Sequence, residues 1–155
     1  MSEPARIADQ LRRAFSGEAW HGDSLLEVLQ GVTAAQAAAR PIKNAHSIWE
    51  LVLHITAWDG ACRRRMQGKT ASLKAEQNFP PVKDTSEAAW QGALQHGKDV
   101  HEDLVQAVAQ FPESRLREKV PGKKPDYHNF YYMLHGLVQH ELYHTGQIAL
   151  LKKLV

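Results

Sequence analysis

Four long stretches of this chain space their apolar residues three and four apart, and no stretch alternates apolar with polar residues long enough to make a strand. Each stretch therefore folds as a helix with one apolar stripe, and such stripes are buried only against one another. The first runs from about Pro4 to Gln30, with Ile7, Leu11 and Phe15, then Leu25, Leu26 and Leu29. Gly17 and Gly22, flanking Trp20–His21, predict a break or bend within it, and a short helical turn is expected at "TAAQAAAR" before Pro41.

The second stretch, "HSIWELVLHITAWDGACRRRMQG", opens with Ser47 three residues before Glu50, a capping box. Its stripe is Ile48, Leu51, Ile55, Trp58, Cys62 and Met66, and Gly68 ends it. An irregular segment from 68 to 84 follows, carrying Phe79 and Pro80–Pro81; loops of this length are often functional. The third helix starts near Thr85, presents Trp90, Leu94, Gly97, His101, Leu104, Val108 and Phe111, and stops at Pro112. The fourth spans about Tyr127 to Lys153, with Phe130, Leu134, Leu137, His140 or Glu141, His144, Ile148 and Leu151 inward. The expected fold is all-α, a four-helix bundle in one domain over residues 1–155.

At 155 residues and 43% hydrophobic, the chain can bury a core without staples. A net charge of +2 with scattered Lys and Arg does not suggest nucleic-acid binding. The run Arg63–Arg64–Arg65 reads as a solvated helix end, where cations suit the dipole. Cys62 is the single cysteine, which allows no internal disulfide and fits a reducing cytoplasm. No signal-peptide core and no segment of membrane-spanning length is visible.

Nine histidines are many for this length, and His128, His135, His140 and His144 fall in the last thirty residues. "HELYH", residues 140 to 144, matches the helix-borne H-E-x-x-H of zinc peptidases. Such a peptidase takes its third ligand downstream, but Thr145 to Val155 contain no His, Asp, Glu or Cys. Peptidase action is therefore not expected. His140 and His144 still project from one helix face about 6 Å apart and can share a cation.

His54 is the best third ligand, because it lies mid-helix between Leu51 and Trp58 at the edge of the core stripe. Three imidazoles leave a fourth position open, the catalytic arrangement. His101 lies on an apolar stripe and is expected in the core or lining the site, with ligation as the other option. Trp58 and His21 are further candidates for the lining, and the 68–84 segment and the Trp20–His21 bend for the rim. Glu141 is either a general base or a residue that orients a ligand, and Glu50 could orient His54 besides its capping role. His96 and His128 are expected on the surface, and Cys62 in the core.

"AHSIWELVLHITAW" (45 to 58) and "HELYHTGQIALLKK" (140 to 153) resemble the two signature regions of the DinB/YfiT-like superfamily. "GEAWHGDSLLEVLQGVTAAQA" and "NFPPVKDTSEAAW" are also similar, so the resemblance spans nearly the whole chain. It implies a four-helix bundle, often homodimeric, with a divalent metal such as zinc or nickel held by His54, His140 and His144. Relatives with assigned activities are thiol-dependent transferases and isomerases using bacillithiol or mycothiol; many others are damage- or stress-linked proteins without a defined reaction. The resemblance thus implies a metal-dependent enzyme, a thiol S-transferase or a hydrolase acting on a small molecule, or a non-enzymatic bundle with a structural metal.

Overall fold

The computed structural model describes residues 1–123 and 128–155. Seven α-helices appear among them: α1 (Glu3–Ser16), α2 (Leu25–Leu29), α3 (Ala34–Ala38), α4 (Ile48–Met66), α5 (Ala75–Asn78), α6 (Glu87–Ala109) and α7 (Phe130–Lys152), with a 3-10 turn at Glu113–Arg115. The described residues contain no strand, only two isolated bridges. No helix among them is long and apolar enough to cross a membrane.

The four long helices start where side chains can satisfy orphan amides. Ser2 accepts from Ala5 N, Ser86 Oγ from Ala89 N, and Asn129 Oδ1 from Tyr132 N. At α4, Ser47 Oγ accepts from Glu50 N while Glu50 Oε2 accepts from Ser47 N, the reciprocal pair that the sequence signals. Glu50 also pairs with Arg40, so its carboxylate serves the helix start. The first stretch breaks rather than bends, and the short helical turn expected before Pro41 forms as α3. The break falls at Gly17, whose backbone is extended, and α2 and α3 each restart on their own capping boxes at Ser24 and Thr33. The expected start of the fourth helix at Tyr127 lies outside the described residues; α7 begins after the Asn129 cap.

Helices α1 and α4 each pack on both α6 and α7, which sets α1 and α4 on one diagonal of the bundle. Two apolar clusters fill it. One joins Ile7 of α1, Met66 of α4, Val108 of α6 and Phe130 of α7; the other joins Phe15, Ile48, Trp90 and Ile148. These memberships fix the helix directions as up, down, down, up. Because α4 and α6 run parallel, residues 67–86 must travel the length of the bundle to connect them. Trp90, fully buried, donates Nε1–H to Val32 O at 2.8 Å, which locks the α2–α3 connection onto the core.

Candidate metal centre

His54 of α4 meets His140 and His144 of α7 in the groove between those helices, with one nitrogen of each ring within 4.8 Å of the other two. His140 and His144 stand one helical turn apart, as the H-x-x-x-H spacing requires. The His54 and His140 Nε2 atoms are 3.0 Å apart. That is close to the ~3.3 Å edge of a tetrahedron with metal–nitrogen bonds of ~2.0–2.1 Å.

Neighbouring groups fix the ring tautomers. His54 Nδ1 lies 2.7 Å from Asn78 O, and a carbonyl only accepts, so His54 carries its proton on Nδ1 and aims a lone pair from Nε2. His144 Nδ1 donates likewise to Gln147 Oε1 at 2.7 Å, leaving its Nε2 as an acceptor. The facing Nε2 atoms of His54 and His140 then need either a proton on His140 or a cation between them. The donor set fits a divalent metal: two buried imidazoles with the outer nitrogen anchored, His54 and His144, and the half-buried His140 beside them. Burial, then the neighbouring His144 and His54 rings, lowers the His140 pKa to about 3. Burial also lowers the pKa of His54 and His144.

The irregular crossover builds the outer wall. α5 delivers Asn78, whose Oδ1 also accepts from Trp58 Nε1 at 2.8 Å. Phe79 inserts between two imidazoles, stacking on His46 at 3.6 Å and on His54 at 4.1 Å between ring centroids. A pocket of about 380 Å³ opens over the triad, walled by Trp58, Met133, Leu137 and Tyr143.

The other candidates sit as follows. Trp58 lines the pocket. His101 does not: it stacks on Phe15 at 4.0 Å, and its Nδ1 lies 3.0 Å from Asp59 Oδ2, deep in the bundle. His21 is exposed and absent from the lining, as is the exposed Trp20, because the break at Gly17 carries that turn away from the α4–α7 groove. Glu141 is also absent from the lining, since one residue along a helix rotates a side chain by about 100°. Its carboxylate is buried without a hydrogen-bond partner among the described residues. Burial, then the nearby Asp59, raises its pKa well above the usual carboxylate value. Glu141, Asp59, His101 and Thr145 form a buried polar layer among the apolar residues of the bundle.

Four contributors were not singled out from sequence. Asn78 and Lys123 lie outside the long helices. Gln147 could have been found, as it stands three residues after His144 on a helix. Arg65, expected among solvated cations, turns inward instead and is 1% exposed. His128, expected on the surface, is half-buried and lines the pocket, its carbonyl accepting from Val120 N at 3.0 Å.

Residues 19–148 match the DinB superfamily, and the chain belongs to it. No curated protein and no solved structure matches the chain.

Proposed function

We propose that His54, His140 and His144 hold one divalent cation, zinc or nickel, and that the pocket before them is the active site of a metal-dependent enzyme, a thiol S-transferase or a hydrolase. The convergence of three nitrogens beneath an open pocket carries this reading, since the grouped ligands among the described residues number three and leave room for a small molecule. A divalent cation there supplies Lewis acidity to a water or low-molecular-weight thiol arriving through the pocket. The protein's part is orientation: Asn78 and Gln147 fix two rings, and Trp58, Met133 and Leu137 keep the surroundings apolar.

Metal analysis tests the reading. The purified protein should hold about one divalent ion per chain, and His54→Ala or His144→Ala should release it. Wild-type metal content in both variants would defeat the assignment. The rival is a non-enzymatic stress-response bundle with a structural metal, closed by a fourth protein ligand. His101, the candidate for that ligand, is engaged with Asp59 and Phe15, which favours the open site. Visible spectra of the cobalt-substituted protein should shift when a small thiol is added; spectra indifferent to thiols would favour the closed site. The proposal includes a homodimer in which a second copy covers the exposed Tyr143 and Leu150 of α7 and Leu154 just beyond it.

A further inference from the structure

The end of the pocket away from the imidazoles is cationic. Arg65 and Lys123 supply the charge, His128 beside them has its pKa lowered by burial, and among the described residues no Asp or Glu lines this end. Arg65 is held rigidly: Nε donates to Ala71 O at 2.8 Å, Nη1 lies 3.8 Å from Cys62 Sγ, and Cζ sits 5.2 Å from the Trp58 ring centroid. Its Nη2 is buried and has no hydrogen-bond partner among the described residues. Among the described residues, no carboxylate pairs with Arg65 or Lys123. A buried guanidinium without a counter-charge is costly, and one buried at a pocket wall is explained by an anion that arrives with a ligand.

Lys123 is placed with equal care. It closes a turn in which Lys123 N bonds Val120 O, and Gly122 adopts φ +73°, a conformation that favours glycine. Gly122 presses on Thr70 so closely that a Cβ would stand 2.6 Å from Thr70 Cγ2. The chain just past α4 thus holds Arg65 through Ala71 and passes, at Thr70, close against the turn that carries Lys123. Trp58 bridges the two ends of the pocket, its ring 6.4 Å from that of His54 and 5.2 Å from Arg65 Cζ.

We propose that Arg65 and Lys123 form an oxyanion subsite, so that the molecule whose reactive end meets the triad carries a carboxylate or a phosphate at its other end. The part about the reactive end rests on the metal-site reading above; the subsite stands on the cationic residues alone. Calorimetric titration of the full chain with succinate, inorganic phosphate and neutral succinamide tests it. Saturable binding of succinate or phosphate, and none of succinamide, is expected, and the stronger anion identifies the group. Lys123→Ala, and Arg65→Met that keeps the stem over Trp58, should each weaken anion binding by about tenfold or more, the loss of one charge-assisted contact. Should Arg65→Met fail to fold, Lys123→Ala decides. The idea is overturned if succinamide binds as well as the anions, or if the folded variants bind them like wild type. His54→Ala, assayed alongside for metal, separates the two readings. Anion binding retained in that variant supports the subsite whatever the metal content. Anion binding abolished there would move the anion to the imidazoles and overturn the subsite.

Discussion

Trp58 Nε1 donates to Asn78 Oδ1 at 2.8 Å, tying the crossover to α4 one turn beyond His54. Through that bond the side chain of Asn78 anchors its own backbone carbonyl, the group that orients His54. Asn78→Ala keeps the carbonyl but removes the anchor. Metal affinity should fall about tenfold, measured by competition with a chromophoric chelator, and Trp58→Phe should act in the same direction. Unchanged affinity in both would mean that the crossover has no orienting role.

Acid should expose the cost of the buried imidazoles. His140 has its pKa lowered to about 3 from 6.5. Above 6.5 the ring is neutral in both folded and unfolded chains and contributes no pH dependence. Below 6.5 the unfolded chain takes up a proton that the folded chain refuses, so stability falls as pH drops toward 3. In chelator-treated protein, the melting temperature of wild type should therefore fall more steeply between pH 6.5 and about 4 than that of His140→Ala. Parallel curves would show that His140 is not desolvated.

Glu141 offers a test of the polar layer. Its buried carboxylate has no hydrogen-bond partner among the described residues, and Asp59 adds repulsion. Glu141→Met, close in shape, should raise the melting temperature at pH 7 by several degrees, corresponding to about 1–2 kcal/mol. A loss of stability instead would show that the carboxylate is paired in solution.

Gly122→Ala meets both a left-handed backbone and a contact at 2.6 Å. A destabilisation of about 1–3 kcal/mol is expected in urea unfolding. Gly136→Ala, with nothing within 4 Å of the added methyl, should match wild type or exceed it slightly.

The helical frame was readable because each long helix carries its own periodic stripe and its own cap, both local signals. The three histidines were readable for a similar reason: two share a helix face, and the third sits at the edge of a core stripe. What was hidden depends on paths between helices. Asn78 reaches His54 only because parallel α4 and α6 force the crossover along the groove, a consequence of topology rather than spacing. Arg65 reads as one of three equivalent cations until the Ala71 carbonyl and the Trp58 ring draw it inward. His101 reads as either a core or a site-lining residue until Asp59 of the adjacent helix claims its Nδ1 and keeps it in the core. His21 was displaced by the break after α1.

The parallel pair α4 and α6 divides labour within the molecule. Rigid helices own the three imidazoles, whereas the outer wall belongs to a connector that bears little of the bundle's own packing. Substitutions or changes of length in that connector can reshape what enters the groove while leaving the imidazoles in register. One scaffold can in this way serve many chemistries, and differences in reactivity among relatives should track residues 67–86 more closely than the helices they join.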